Sequence, residues 1–394
     1  MSSFKIGLVG KPNVGKSTIF SALTKHNVDI GNYPFTTVKP NTGVTFIRHS
    51  CPEVEIGGKC DPSYGYCVSG IRYIPVQVVD VPGLIKGASQ GKGMGNQFLD
   101  SIRDSDATVQ IFDSTGRTDM MGNESINPEN AVEEEINMIN DEIVQWAANT
   151  ISADWDHFSR RADSSSERLG KSLSSKLSHF RISESQMSEI LSAGIFPSRL
   201  SIWGTDDFLQ LARLIIERTK PRVLLGNKMD LISDAQAEKI LNGRRDIFLT
   251  SGETELILSK AIETGVIESE TPPFQVSRKA SQKQIEALDR IEKIVLRRGY
   301  SSLRKVMEEM VYVKLGRIVV FPVYDETLWR DRQGKLLPDA FFMKSGETAL
   351  DLAYRVHTEI GENFIKAIDG RTHRTLGKDY VLKDGDVIKI VSRS

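Results

Sequence analysis

The chain lacks the features that mark several large classes of protein. No uninterrupted apolar run in its 394 residues approaches the roughly 20 residues needed to span a bilayer. Met1 to Lys5 lead straight into an apolar segment, with no signal peptide before it. With 51 basic and 52 acidic residues, the chain has no excess of positive charge. We therefore expect a cytoplasmic protein with no membrane partner, in which any contact with RNA is a local patch.

Cysteine is also scarce, and its three copies lie close together. Cys51, Cys60 and Cys67 fall in one segment, CPEVEIGGKCDPSYGYC. Their spacing fits neither an even-numbered disulfide framework nor the paired C-x-x-C of a zinc knuckle. His49 is a candidate fourth ligand for a metal at this place. The interpretation that the spacing favours is a loop or hairpin with reduced thiols.

The most informative segment is Gly10 to Thr18, GKPNVGKST, which matches the phosphate-binding pattern G-x-x-x-x-G-K-[ST]. It follows a predicted buried strand, Phe4 to Val9, and precedes a helix predicted to start near Lys16. The two glycines let the backbone curl, so that successive N–H groups point at one oxyanion at the positive end of that helix. Lys16 is predicted to reach the β- and γ-phosphates, and the Ser17 hydroxyl to ligate Mg²⁺. The alternative is a glycine turn with no ligand.

Asp80 to Gly83 is the second element of the predicted site. It follows Tyr73 to Val79, a segment rich in β-branched residues that predicts a strand. A carboxylate at the end of that strand can hold Mg²⁺ through water, and the Gly83 N–H can contact the γ-phosphate. We therefore expect this segment to lie beside the phosphate loop.

Two further segments, Asn227 to Asp230 and Thr250 to Glu253, predict recognition of the base. Each follows a short predicted strand, over 221–225 and 246–249. The Asp230 carboxylate can accept two hydrogen bonds from guanine, whereas adenine offers an acceptor in the same place; such sites discriminate by factors of about 10⁴ or more. A turn after Thr250 can offer a backbone N–H to guanine O6. Four elements in this order at strand ends predict one crevice in a parallel sheet.

These residues resemble the translation-factor class of GTPases, and more closely its Obg and YchF-like branch. The segment NYPFTTVKPN at 32–41 is similar to that branch's first switch, and DVPGLIKGASQGKGMGNQFL at 80–99 to its glycine-rich second switch. The C-terminal part of the chain resembles a TGS domain. The resemblance covers most of the chain except roughly residues 120–218.

The resemblance implies roles for residues in and near the switches. Thr37 is the expected switch threonine over Mg²⁺ and the γ-phosphate, with the adjacent Thr36 as the alternative. Leu84 stands where many GTPases carry the glutamine that orients water, and an isobutyl group cannot hydrogen-bond water, which implies slow turnover. Asn13 resembles the potassium-coordinating asparagine of related GTPases and implies stimulation by K⁺. The alternative for Asn13 is a turn residue with no ion.

These motifs assign predicted roles in catalysis, Mg²⁺ binding and nucleotide binding to individual residues. The predicted catalytic residues are Lys16, Thr37 and Gly83, and the predicted Mg²⁺ ligands are Ser17, Thr37 and Asp80. Nucleotide contacts are expected from Gly10, Lys11, Pro12, Asn13, Val14, Gly15, Lys16, Ser17, Thr18, Asp80, Asn227, Lys228, Asp230, Ser251 and Gly252. Several YchF-like relatives have lost the N-K-x-D pattern and prefer ATP, whereas this chain keeps it. GTP is therefore expected over ATP.

The domain plan rests on the spacing of the predicted elements and on what the resemblance implies. We expect an α/β P-loop GTPase with a mostly parallel sheet, split into parts at 1–118 and 219–314. A helical insertion is expected over 119–218, because about a hundred residues stand where a short connection suffices. An α+β β-grasp domain of TGS type is expected over 315–394. In its family this module is linked to RNA and ribosome contacts.

Two functional classes follow from these predictions. The first is a GTP-binding switch with slow intrinsic hydrolysis, which binds the ribosome or ribosomal RNA. The second is a scaffold or sensor with negligible turnover and protein partners; an ATP-preferring ATPase of YchF type is a further alternative. The sequence leaves the oligomeric state open.

Overall fold

The computed structural model describes residues 4–24, 41–84, 87, 95–119, 131–165 and 167–393, with residues 95–99 described by their backbone alone. These residues group into two compact units. The terminal unit comprises 1–5, 21–78 and 302–394, and the central unit comprises 6–20 and 79–301.

The secondary structure alternates strands and helices along most of the chain. The strands are β1 (Lys5–Val9), β2 (Thr42–Ser50), β3 (Tyr66–Val68), β4 (Ile71–Asp80), β5 (Ala107–Asp113), β6 (Arg222–Asn227), β7 (Ile247–Leu249), β8 (Arg317–Val323), β9 (Phe341–Lys344), β10 (Phe364–Asp369), β11 (Thr375–Leu376) and β12 (Val387–Ser392). The helices are α1 (Lys16–Thr24), α2 (Glu53–Ile56), α3 (Gly95–Asp104), α4 (Ala131–Ser152), α5 (Trp155–Asp163), α6 (Leu169–Lys176), α7 (Glu184–Ala193), α8 (Thr205–Thr219), α9 (Asp234–Leu241), α10 (Gly252–Glu263), α11 (Gln282–Val295), α12 (Leu303–Glu308), α13 (Ala349–Val356) and α14 (Thr358–Glu362).

The central unit is built on parallel strands in the order β1, β5, β6, β7. The pairing is parallel at each step, with Ile6 opposite Ala107, Val109 opposite Val223 and Leu225 opposite Phe248. Every residue of β5 is buried, as expected of a parallel strand covered on both faces. Because these strands run in one direction, their carboxyl ends share one edge. The predicted site elements at 10–18, 227–230 and 250–253 lie at the ends of β1, β6 and β7.

Helices α3 to α8 of the central unit pack into one large apolar cluster. Ile139, Ile143, Ala147 and Ile151 of α4 are buried in it at helical spacing. Trp155 stacks on Trp203 with ring centroids 5.4 Å apart. The Ser183 side chain accepts a hydrogen bond from the Gln186 N–H and forms a capping box at the start of α7.

The terminal unit contains a separate sheet in the order β11-β10-β12-β8-β9. Strands β8 and β12 are parallel, and the other pairs are antiparallel. The helix α13 packs on this sheet through Ala349 and Leu352. In the same unit, β2 and β3 pair with β4. Together the two units confirm the predicted α/β class with a second, α+β sheet near the C-terminus.

Two features of the helices were not predicted from the sequence. Helix α12 ends at Glu308, and a π-helical segment, Glu309–Lys314, follows it. Helix α5 was not predicted, because a left-handed residue, Asp154 with φ 53°, separates it from α4 and interrupts the periodicity. Among the described residues, no helix has both the length and the apolar character needed to cross a membrane.

Candidate nucleotide site

The segment between β1 and α1 forms a tight loop with the shape expected of a phosphate-binding loop. Gly15 has φ +93°, and a side chain there would also run into the Asn227 amide, so that glycine is required on both counts. Asn13 is exposed and also left-handed, with φ 62°. Thr18 lies in the first turn of α1. The backbone N–H groups of this segment stand at the start of a helix, where an anion is favoured.

Lys16 lies inside the curve of the loop. Its ammonium donates to the Gly10 carbonyl at 3.0 Å and to the Lys11 carbonyl at 2.8 Å. Burial lowers the pKa of Lys16 below its usual value, and the charges of Asp80 and Glu135 oppose that shift. The cation is therefore positioned where the loop's own backbone would surround a phosphate.

Ser17 and Asp80, two of the predicted site residues, contact each other directly. The Ser17 hydroxyl donates to Asp80 Oδ2 at 2.9 Å. The other carboxylate oxygen, Oδ1, is buried and has no hydrogen-bond partner among the described residues. A hydroxyl and a carboxylate with an unused buried oxygen are the hard ligands that Mg²⁺ prefers, so these residues fit a magnesium ion.

Gly83 and Leu84 lie directly against the phosphate loop. A Cβ added at Gly83 would come within 3.2 Å of the Pro12 nitrogen, and the Leu84 N–H donates to the Gly10 carbonyl at 3.1 Å. The Leu84 side chain is 1% exposed and belongs to the apolar cluster that includes Val81. The Leu84 side chain is therefore part of the hydrophobic core, and the sequence did not indicate this position.

Asn227 joins the phosphate loop to the loop after β7. Its side-chain amide donates to the Val14 carbonyl at 2.7 Å, and its Oδ1 accepts from the Gly252 N–H at 2.7 Å. Asn227 is 4% exposed, so both bonds are sheltered from water. The adjacent Ser251 uses its hydroxyl to accept from the Thr254 N–H as the N-cap of α10. One buried side chain thus fixes the spacing of two segments that are far apart in sequence.

Lys228 and Asp230 lie in the loop that follows β6. Lys228 is left-handed, with φ 65°, and its ammonium pairs with Asp113 Oδ2 at 2.8 Å. Burial disfavours the Asp113 carboxylate, but hydrogen bonds from Lys228 and Thr115 outweigh it and hold the pKa of Asp113 below its usual value. Asp230 follows two residues later and is half-buried. The sequence did not single out Asp113, although its place at the end of β5 could have suggested a partner for Lys228.

Further contacts hold the base-side loops, and sequence reasoning did not find them either. The Met229 N–H donates to the Thr250 carbonyl at 3.0 Å, which ties the loop after β6 to the loop after β7. Arg297 donates to the Met229 and Ile232 carbonyls, each at 2.9 Å. One backbone hydrogen bond joins the loops that follow β6 and β7, and the Arg297 side chain braces the loop after β6, independently of any ligand.

Lys11 is positioned differently from the other residues of the loop. Its ammonium pairs with Glu135 of α4 at 2.8 Å, both side chains being 1% exposed, and donates to the Thr118 carbonyl at 2.7 Å. Burial raises the pKa of Glu135 to about 7, although the Lys11 charge opposes that shift. Only the backbone of Lys11 faces the loop, so its side chain does not join the site.

Part of the predicted site lies outside the described residues. Residues 32–40 of the predicted first switch, which include Thr37 and the alternative Thr36, are not among the described residues. Neither are residues 85, 86 and 88–94 of the predicted second switch.

Three family models match successive parts of the chain. The model of 50S ribosome-binding GTPases matches residues 5–150. The model of the G4 motif-containing domain of YGR210-like, Obg-like GTPases matches residues 225–325, and the TGS domain model matches residues 332–392. An uncharacterized GTP-binding protein of Methanocaldococcus jannaschii is 40% identical over 392 residues, which is 98% of each chain. The chain belongs to the Obg- and YchF-like family of GTP-binding proteins.

More distant relatives and solved structures agree with this family. The ribosome-binding ATPase YchF of Escherichia coli O157:H7 is 26% identical over 410 residues, covering 98% of this chain and 99% of that protein. A crystal structure of a GTP-binding protein from Pyrococcus horikoshii OT3 matches with a TM-score of 0.78 at 32% identity, covering 99% of this chain and 100% of that one. The YchF GTPase of Schizosaccharomyces pombe, at 19% identity and a TM-score of 0.57 over 99% of this chain and 98% of that one, shares the fold.

Proposed function

We propose that this protein binds GTP with Mg²⁺, hydrolyses it slowly and acts as a nucleotide-dependent switch. The observation that carries the proposal is the Asn227 bridge between the Val14 carbonyl and the Gly252 N–H. This bridge holds the phosphate-binding segment at a fixed distance from the loops predicted to read guanine. A glycine turn with no ligand would need no such connection.

Base preference rests on Asp230, in a loop braced by Arg297. A fixed carboxylate accepts two hydrogen bonds from guanine and meets an acceptor on adenine, which favours guanine by factors of about 10⁴ or more. The Escherichia coli relative is named an ATPase. Retention of Asn-Lys-Met-Asp at 227–230 is the reason to propose GTP for this chain.

The proposed roles in phosphoryl transfer are positioning and neutralisation of charge. Lys16 and the loop N–H groups meet the charge on the β- and γ-oxygens. Ser17, Asp80 and Thr37 are the proposed holders of Mg²⁺, which would supply charge neutralisation at the same oxygens. The Gly83 N–H is the proposed contact for the γ-phosphate.

Slow intrinsic turnover is proposed because Leu84 replaces the glutamine that orients water in many GTPases. Its side chain is buried in the apolar cluster of the central unit and has no group that can hold water. The exposed Asn13 is the proposed contact for a K⁺ ion that assists hydrolysis. Loss of the γ-phosphate contact at Thr37 is the proposed origin of the switch.

The proposed partner is the ribosome or ribosomal RNA, in the cytoplasm. Support comes from the names of the family model matching 5–150 and of the Escherichia coli relative, both described as ribosome-binding. We propose the domain bounds inferred from the sequence, with the G domain at 1–118 and 219–314, the helical insertion at 119–218 and the TGS-like domain at 315–394. The insertion and the TGS-like domain are the proposed contacts.

The experiment that tests this function has two readouts. Co-sedimentation with ribosomes is compared in the presence of GDP and of a non-hydrolysable GTP analogue, and single-turnover GTP hydrolysis is measured with and without ribosomes. A switch predicts nucleotide-dependent co-sedimentation and faster hydrolysis with ribosomes. Nucleotide binding with neither effect would favour the scaffold with protein partners.

A further inference from the structure

The three cysteines of the chain converge on one carboxylate in the terminal unit. Cys51 follows β2, Glu53 begins α2, Cys60 lies in the loop after α2, and Cys67 lies on β3. The three sulfur atoms and a Glu53 carboxylate oxygen all lie within 4.8 Å of one another. We call these residues the Cys₃Glu cluster. Sequence spacing did not predict it, because the fourth member is neither a cysteine nor a histidine.

The distances within the cluster fit tetrahedral coordination. Ligands bound to one zinc ion at about 2.3 Å for sulfur and 2.0 Å for oxygen stand about 3.5–3.8 Å apart. The Cys51 and Cys60 sulfurs are 3.7 Å apart, and Cys67 Sγ is 3.2 Å from Glu53 Oε1. Small changes in side-chain torsion angles would therefore place the three sulfur atoms and the Glu53 oxygen at the corners of a tetrahedron around one ion.

Glu53 is held in position by the backbone around it. Its Oε2 accepts from the Cys60 N–H at 2.7 Å, and its Oε1 accepts from the Gly70 N–H at 3.1 Å. Oε1, the oxygen that faces Cys67, can bind a metal while Oε2 keeps its hydrogen bond. This is the kind of outer hydrogen bonding that orients metal-binding carboxylates. His49, the fourth ligand suggested by the sequence, instead contacts Asp384 through Nε2 at 3.0 Å.

The surroundings of the cluster favour anionic sulfur. Arg72 lies opposite Cys67 in the β3–β4 pair and is 0% exposed. Its guanidinium donates to the Leu337 carbonyl, and its Nε has no hydrogen-bond partner among the described residues. The carbonyl that accepts from this guanidinium carries no net charge, so the positive charge of Arg72 is left without a counter-charge from that contact. Nearby thiolates and a carboxylate can supply the counter-charge. Cys51 and Cys60 also belong to an apolar cluster of this unit, which limits access of water.

We propose that the Cys₃Glu cluster binds one zinc ion through three thiolates and one carboxylate, those of Cys51, Cys60, Cys67 and Glu53. Soft thiolate ligands in a tetrahedral set select zinc over Mg²⁺ or Ca²⁺. The thiol protons pass to the solvent as the metal binds, with no change in oxidation state. Four protein ligands leave no open position, so the site is structural: it fastens α2, the following loop and β3 to the end of β2.

The test measures metal content of the full chain, purified under reducing conditions without chelator and with any affinity tag removed. We expect one zinc ion per chain by elemental mass spectrometry, and visible absorption typical of a tetrahedral thiolate complex after exchange with Co²⁺. Cys60→Ser and Glu53→Gln should each lower zinc affinity at least tenfold in competition with a chromophoric chelator. Glu55→Gln changes a carboxylate on the same short helix that pairs with Arg371, and should leave zinc binding unchanged.

Three results would overturn the proposal. Wild-type protein that takes up neither zinc nor cobalt, with three thiols that react after denaturation, would show a reduced cysteine cluster only. One reactive thiol and a Cys51–Cys60 disulfide would show a redox pair instead. Zinc held equally by wild type, Cys60→Ser and Glu53→Gln would place the metal elsewhere. The first two results are measured on the wild-type protein alone, so the proposal can be refuted even if a variant fails to fold.

Discussion

Replacing Asn227 with alanine tests the connection on which the candidate site depends. The change removes two buried hydrogen bonds, each 2.7 Å long, and leaves the Val14 carbonyl and the Gly252 N–H without their partner. An unsatisfied buried group costs about 1–3 kcal/mol, so the loss of partner for two such groups in Asn227→Ala should lower the free energy of unfolding by about 2–6 kcal/mol. GTP affinity should fall by about tenfold or more, because two segments of the site lose their fixed spacing.

Urea unfolding followed by tryptophan fluorescence measures the stability change. Trp146, Trp155 and Trp203 lie in the apolar cluster of the central unit, so a Trp329→Phe background confines the signal to that unit. Asn149→Ala is the matched control, since Asn149 is an exposed asparagine on α4 and its loss should change stability by no more than about 0.5 kcal/mol. An Asn227→Ala protein as stable as that control, with wild-type GTP affinity, would refute the reasoning.

Three further predictions concern single residues of the central unit. Leu84→Gln buries an amide in the apolar cluster and should lower the free energy of unfolding by about 2–4 kcal/mol. It should not accelerate GTP hydrolysis. Faster hydrolysis by this variant would contradict the buried position of residue 84. GTP hydrolysis should be faster in K⁺ than in Na⁺, and Asn13→Ala should abolish that difference. Equal rates of hydrolysis by the wild-type protein in both salts would contradict a role for K⁺. Burial raises the pKa of Glu135 from 4.5 to about 7, so the folded chain binds this proton more tightly than the unfolded chain does. The resulting stability is fully present below pH 4.5 and is lost as the pH rises to about 7, by at most about 3 kcal/mol. Unfolding of wild type compared with Glu135→Gln across this range should show the loss in wild type alone; parallel pH curves would contradict it.

The four strands that precede the candidate site elements were predictable from sequence because their signals are local. The pattern at 10–18 needs only a glycine loop between a strand and a helix, and both are present. The capping box at the start of α7 is a local feature of the same kind, since it joins Ser183 and Gln186, three residues apart.

Contacts between distant segments could not be predicted in this way. Nothing around Lys11 indicates that its side chain pairs with Glu135, more than a hundred residues later. The residue type at Leu84 shows that an amide is absent, but the sequence gives no sign that this side chain is buried. The Cys₃Glu cluster was missed because Glu53 is a common residue type that acquires meaning only when three sulfurs surround it.

The central claim is that one guanine nucleotide spans the loop at 10–18 and the loops after β6 and β7. Isothermal titration calorimetry of the purified chain in Mg²⁺, with GTP, ATP and xanthosine triphosphate, tests it most directly. We expect binding of GTP, far weaker binding of ATP, and a shift of preference to xanthosine triphosphate in Asp230→Asn. Absence of GTP binding by the folded protein, or equal affinity for all three nucleotides in both proteins, would contradict it.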